Sequence, residues 1–256
     1  MQIARTIAEV RRLLGPRRGG PIGLVPTMGA FHAGHVSLFE AARRECETVA
    51  VSLFVNPTQF GEKADLERYP RDEARDVAIA DGAGVDVLFT PRAEELYPAG
   101  FGTWVEVGGL STILEGAFRP GHFRGVATVC LRLFNIVMPT RVYFGQKDAQ
   151  QVEVIRRLLR DFDLPIELRV LPTVRDADGL ALSSRNVRLS PADRERALAL
   201  PRALATGDVA RARALLQGLD VEYVELAPFD PPVLAAAIRV GGVRLIDNVP
   251  VGGTTT

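Results

Sequence analysis

Apolar positions along the chain follow two rhythms. Ile22–Thr27 is a short apolar run that ends in a glycine-containing turn, and over residues 36–46 the apolar positions recur at helical spacing. The segment reads as strand, loop and helix. The alternation continues with a strand at 48–55, a helix at 72–82, a strand at 86–90, a helix at 125–137, the strand Arg141–Gly145, a helix at 149–162 and a strand at 166–172. Continuous apolar strands alternating with helices predict an α/β fold, a parallel sheet covered by helices on both faces.

The pattern changes after Thr173. Asp176-Ala177-Asp178-Gly179 reads as a turn, and Ser190 precedes Pro191 as an N-cap precedes a first helical proline. Helices are expected at 191–205 and 208–216, then a strand at 222–226, a helix at 232–239 and a strand at 243–246. A first domain over 1–173 and a second, smaller one over 174–256 follow, with the Thr-rich tail 252–256 expected to fray.

Composition narrows the functions open to such a fold. The 256 residues are 47% hydrophobic and 24% charged, which fits a globular chain and not a disordered one. Formal net charge is zero, so no broad basic field is present to hold nucleic acid, although a local anion pocket needs only a few donors. Apolar stretches such as 126–138 are too short to cross a bilayer and are interrupted by Arg132. Met1-Gln2-Ile3-Ala4-Arg5 lacks the features of a secretion signal, and a cytoplasmic location is expected. Cys46 and Cys130 fall inside apolar helical patterns and read as reduced core thiols, too few for a zinc site; no metal ligands are expected. Of 31 basic residues only Lys63 and Lys147 are lysine. A lysine kept against that bias points to a contact that needs a compact ammonium, such as one to phosphate.

The strongest local signal is Pro26-Thr27-Met28-Gly29-Ala30-Phe31-His32-Ala33-Gly34-His35, where the first predicted strand gives way to a helix. That edge of an open α/β sheet is where ligands bind. Gly29 and Gly34 allow close approach of the backbone, the helix N-terminus favours phosphate, and the two histidines are suited to donate to a phosphate whose charge grows during displacement. A plain surface turn, or a metal pair, is the alternative. The spacing His-x-Gly-His resembles the signature of nucleotidyl-transferring α/β enzymes, which include class I aminoacyl-tRNA synthetases and small adenylyltransferases.

Three further segments bear on the same chemistry. Leu182-Ser183-Ser184-Arg185-Asn186 offers hydroxyls and a guanidinium for a departing pyrophosphate, or is an ordinary serine-rich loop. Gly145-Gln146-Lys147-Asp148 follows a predicted strand, where Lys147 suits phosphate and Asp148 suits ribose hydroxyls, unless Asp148 only serves a helix dipole. Asn56-Pro57-Thr58-Gln59-Phe60 also follows a strand, and the amides of Asn56 and Gln59 suit a small polar acid.

With these segments in order, and with Arg119-Pro120-Gly121-His122-Phe123 and Arg244-Leu245-Ile246-Asp247-Asn248 beside them, the chain resembles the pantoate–β-alanine ligases from about residue 22 to 248. The resemblance implies a Rossmann-like, ATP- and pantoate-binding domain followed by a smaller α+β C-terminal lid domain, a homodimer, and a magnesium-dependent reaction that joins pantoate and β-alanine through a pantoyl adenylate. It implies that His32 and His35 meet the phosphates, that Gly34, Asp148 and Val174 hold adenosine, that Lys147, Ser183, Ser184 and Arg185 hold the triphosphate, and that Gln59 and Gln151 bind pantoate. Gln146 and Ala149 stand where the family usually has Glu and Tyr, Leu182 replaces the usual Met, and the C-terminal unit is short. An adenylyltransferase acting on a phosphate-bearing acceptor is the nearest rival, and it would need a further cationic pocket where Asn56 and Gln59 are neutral. A non-catalytic nucleotide sensor is the other rival, although it would have little need to keep the histidines, the lysine and the loop arginine together.

Overall fold

The computed structural model describes residues 1–61 and 63–252. Apart from Gly252, the tail expected to fray lies outside them. The chain forms two compact units, one made of Met1–Phe144 with Val154–Leu171 and the other of Gly145–Glu153 with Pro172–Thr256.

In the first unit, strands β1 (Gln2–Ala4), β2 (Ile22–Thr27), β3 (Thr48–Leu53), β4 (Val87–Phe89), β5 (Arg141–Gly145) and β6 (Glu167–Leu171) form a six-stranded sheet in the order β1-β4-β3-β2-β5-β6. β2 runs parallel to β3 from Ile22 opposite Thr48 to Thr27 opposite Leu53, and parallel to β5 with Leu24 opposite Val142. Successive side chains of a strand point to opposite faces. Val49, Ala50 and Val51 are all buried, so both faces of β3 are covered, which is why the strand reads as a continuous apolar run. Val25, Phe31, Phe39, Val51, Leu88 and Tyr143 share one core cluster. Burial of side chains of this size contributes roughly 1.5–3 kcal/mol each.

Two N-terminal elements extend what the pattern predicts. β1 pairs with β4, and the helix Ile7–Leu14 is started by a capping box in which Thr6 and Glu9 satisfy each other's backbone N–H groups. The predicted helix at 125–137 starts earlier, as His122–Val137, after Gly121 in the left-handed conformation.

The second unit holds an antiparallel sheet, β7 (Asp220–Ala227), β8 (Val233–Val240) and β9 (Val243–Pro250), with β8 in the middle. The helix expected at 232–239 is therefore a strand. Its alanines favour helix in isolation, but Leu234, Ala236 and Ile238 fall on one face and pack with Ala197, Leu200, Ala203 and Leu204, while both edges of β8 are paired. Small side chains let helices lie close on the sheet, and that packing overrides propensity. The helix expected at 191–205 is divided into Pro191–Ala197 and Ala199–Leu204, because Pro201 has no N–H to return to the preceding turn.

Candidate active site

The histidine turn lies at the C-terminal end of β2, in the middle of the first sheet. Pro26 and Thr27 end the strand, and Thr27 Oγ1 donates to the Ser52 carbonyl at 2.6 Å. The backbone then turns through Gly29 (φ 84°) and Ala30 (φ 53°). The carboxylate of Asp76, 1% exposed, accepts from the N–H groups of Ala30 at 2.8 Å and Phe31 at 2.7 Å. A Cβ on Gly29 would come within 2.8 Å of that carboxylate, so both the φ and the space call for glycine.

His32 is the N-cap of the helix Ala33–Glu45. Its Nδ1 accepts from the Gly34 N–H at 3.2 Å, and Nδ1 of His35 accepts from the His32 N–H at 3.3 Å. This is a capping box built from two imidazoles. An imidazole whose Nδ1 accepts carries its ring proton on Nε2. The rings lie 4.1 Å apart, and Phe31 packs against His35 at 5.4 Å. The Gly34 N–H is thus already committed to His32 and is not a spare donor for an anion.

The Asn56–Phe60 turn follows β3. Asn56 is buried and saturated: Nδ2 donates to Gln59 Oε1 at 3.0 Å and to the Gly125 carbonyl at 3.2 Å, while Oδ1 accepts from Thr58 and from the Tyr97 hydroxyl at 3.0 Å. Burial raises the Tyr97 phenol, so it remains the donor. Asn56 thereby orients Gln59, whose Nε2 lies 3.1 Å from Met28 Sδ. The backbone of Gln59 is also fixed: its carbonyl accepts from His122 Nδ1 at 2.9 Å and Arg119 Nη2 at 3.3 Å. The third histidine thus carries its proton on Nδ1, the opposite tautomer to the first two.

In the second unit, Gly145 leads into the turn Gln146–Asp148, where the Lys147 ammonium lies 3.9 Å from Asp148. Gln151, half-buried, stands on the first turn of the helix Ala149–Asp161. Val174 and Leu182 face each other across a narrow hairpin, the Leu182 N–H donating to the Val174 carbonyl at 3.0 Å. Arg194 clamps the hairpin tip through Asp176 at 2.6 Å and Asp178 at 2.8 Å. The bond to Arg194, then one from the Leu180 N–H, holds the Asp178 carboxyl below its ordinary range. Ser183, Ser184 and Arg185 follow directly, with Ser183 Oγ accepting from the Arg185 N–H at 3.3 Å.

The first unit therefore gathers Pro26, Thr27, Met28, Gly29, His32, Gly34 and His35, with Gln59 beside Met28. The second gathers Gly145, Lys147 and Asp148, and separately joins Val174 to the Leu182–Arg185 segment. Residues outside the sequence-based set also matter. Asp76 holds the histidine turn, His122 and Arg119 hold Gln59, and Asn248 donates to the carbonyls of Gln146 at 3.0 Å and Lys147 at 2.8 Å. The blocks containing His122 and Asn248 are visible in the sequence, but nothing sets Asp76 apart from its acidic neighbours. Among the described residues no three His, Cys, Asp or Glu side chains form a metal-binding group, and no helix is long and apolar enough to cross a membrane.

The arrangement has close counterparts. The chain is 51% identical to a pantothenate synthetase of Chloroflexus aggregans over 97% of its own length and 99% of that protein, and 50% identical to one from Moorella thermoacetica over 97% and 98%. The crystal structure of pantothenate synthetase from Thermus thermophilus superposes with a TM-score of 0.93 at 46% identity, covering 98% of this chain and 99% of that one. Pantoate-beta-alanine ligase from Francisella tularensis, solved with beta-gamma ATP and beta-alanine, superposes with a TM-score of 0.89 at 37% identity, covering 98% and 97%. The model of the pantoate-beta-alanine ligase family matches residues 2–250, and the chain belongs to that family.

Proposed function

We propose that the chain condenses pantoate with β-alanine at the expense of ATP, giving pantothenate, a coenzyme A precursor, with AMP and pyrophosphate. A carboxylate oxygen of pantoate attacks the α-phosphorus, and the bond to pyrophosphate breaks. The β-alanine amine then attacks the acyl carbon of the adenylate, the bond to the AMP oxygen breaks, and the amine proton leaves to solvent.

The observation that carries this reading is the double-imidazole cap. It places two imidazole rings 4.1 Å apart at a helix N-terminus, where an anion is favoured. Pantoate and ATP are both anions. His32, His35, Lys147 and Arg185 are assigned to offset their repulsion and fix the line of attack, with Ser183 and Ser184 on phosphate oxygens. Pro26, Thr27, Met28, Gly29, Gly34, Gly145, Asp148, Val174 and Leu182 complete the nucleotide's surroundings. Gln59 and Gln151 bind pantoate, and Asn56 serves that site by orienting Gln59. Magnesium enters with the substrate as Mg-ATP, on phosphate oxygens, a form that does not need a dedicated protein cage. Residues 1–173 form the binding domain and 174–256 the lid, which keeps water from the adenylate.

Family likeness supports a cytoplasmic homodimer, and sedimentation at the mass of a single chain at working concentration would overturn the dimer. The activity is tested by incubating the protein with Mg-ATP and pantoate, with and without β-alanine, and identifying products by mass. AMP and pantothenate appearing only with β-alanine support the reading. A stable nucleotide conjugate of another acceptor would overturn it.

A further inference from the structure

Asp247 and Asn248 are neighbouring buried polar residues on β9, 3% and 5% exposed, and the nucleotide assignments above give them no role. Asn248 uses its whole amide. Nδ2 donates to the carbonyls of Gln146 at 3.0 Å and Lys147 at 2.8 Å, and Oδ1 accepts from Gln146 Nε2 at 3.3 Å. The bond from Gln146 fixes which way the amide faces, because its oxygen is taken by a donor and its nitrogen is left for the two carbonyls. Asp247 accepts two bonds from the Arg175 guanidinium, at 2.6 and 3.1 Å, and one from the Asn248 N–H at 2.8 Å. One strand thus anchors both the turn that bears Lys147 and the hairpin that begins at Val174.

We propose that Asn248 is a positioning residue for adenylate formation, acting through the backbone of Gln146 and Lys147 to set where the Lys147 ammonium stands, with Gln146 as the lock on its amide. This rests on the assignment of Lys147 to the ATP phosphates. An asparagine suits the position because two carbonyl oxygens need donors while the side chain of Gln146 needs an acceptor. Aspartate has the same shape but would face the two carbonyls with an oxygen and no hydrogen. A glutamate at 146 would have no donor for Asn248 Oδ1, so the glutamine at this position and Asn248 work as a pair in this chain.

The test uses Asn248→Ala, Asn248→Asp, Gln146→Ala, Lys147→Ala and the double variant Asn248→Ala/Lys147→Ala. Two half-reactions are followed: pantoate-dependent ATP–pyrophosphate exchange, and pantothenate formation from chemically prepared pantoyl adenylate and β-alanine. Misplacing a catalytic group by about 1 Å costs on the order of a hundredfold in rate, so Asn248→Ala and Asn248→Asp are expected to lower exchange by about tenfold to a hundredfold. Gln146→Ala should show a smaller loss, and it keeps the measurement available if Asn248→Ala does not fold. The second half-reaction should fall far less, because the pyrophosphate that Lys147 meets has already left and only the contact of Asp148 with the nucleotide remains to be disturbed. In the Lys147→Ala background, Asn248→Ala should cost nothing further. Parallel loss of both half-reactions, or losses that multiply in the double variant, would overturn the proposal. Lys147→Ala with normal exchange would instead overturn the assignment of Lys147 on which it depends.

Discussion

His32 and His35 are joined through the backbone, the His32 N–H donating to Nδ1 of His35 at 3.3 Å while Nδ1 of His32 takes the Gly34 N–H. The same ring atoms that cap the helix fix the tautomer, with the ring proton on Nε2. Structure and chemistry can be separated at residue 35. His35→Ala removes both the cap acceptor and the imidazole donor, and losing such a cap costs about 0.5–2 kcal/mol. His35→Gln restores an acceptor at the third helical position, as in an ordinary capping box, without an imidazole. Both variants are expected to lose pantoate-dependent ATP–pyrophosphate exchange by roughly 10²–10³-fold, the usual cost of one donor to a developing charge, while only the glutamine variant keeps the parent's Tm. Recovery of exchange in His35→Gln would reduce the residue to a cap.

How far this architecture can be read from sequence depends on the range of the interactions involved. The strand–turn–helix at 22–45 was legible because β2 and β3 are buried on both faces and the turn carries Gly29. The strand β8 was not. Its alanines and Ile238 share helical spacing, and only pairing with β7 and β9 makes it a strand. Contacts that orient the candidate site were also hidden. Asp76 reaches Ala30 and Phe31 across more than forty residues, and Asn248 reaches Lys147 across about a hundred, distances over which no local pattern operates. Gln59 was legible as a polar residue after a strand, but not that His122 holds its backbone.

The two thiols should be silent in the folded protein. Burial pushes the Cys130 thiol up to about 12, so its thiolate, the reactive form, is scarce near neutrality. Cys46 is also buried, with its Sγ 3.3 Å from the Tyr143 hydroxyl. A chromogenic thiol reagent is expected to titrate neither group under native conditions and two per chain in denaturant. A fast native reaction would show that the helix His122–Val137 or the end of the helix Ala33–Glu45 opens locally.

Several carboxylates tie stability to pH with one sign. Glu45 is lowered chiefly by its bond from Arg169, Glu73 by Arg5 and Asp178 by Arg194, against ordinary values of 4.5, 4.5 and 3.8. Each folded value lies below the unfolded one. The stability these groups contribute is therefore complete above the ordinary values and is lost as pH falls through the lower, folded ones. Tm should be level from neutrality down to about pH 5 and fall below it, with a modest amplitude because the pairs are exposed and screened by salt. Arg194→Met, which removes the partner of both Asp176 and Asp178, should make the acid limb shallower. An unchanged limb at low salt would show that these pairs contribute nothing measurable.

Gly125 sets the distance between the helix His122–Val137 and the Asn56–Phe60 turn. A Cβ there would stand 2.6 Å from the Thr58 carbonyl oxygen and 2.8 Å from the Gln59 nitrogen, closer than real Cβ contacts come. The turn has little room to retreat, since Arg119 and His122 hold the Gln59 carbonyl and Asn56 holds both the Gly125 carbonyl and the Gln59 side chain. Gly125→Ala is expected to displace Gln59 rather than the histidine turn. The KM for pantoate should rise by about tenfold or more while the KM for ATP stays within about twofold, a split that a general loss of folding would not produce. Overpacking of this kind costs about 1–3 kcal/mol, so Tm should fall as well, and Gly125→Ser should behave alike. If both KM values rise together, or if only Tm changes, the proposed place of Gln59 in the pantoate site is wrong.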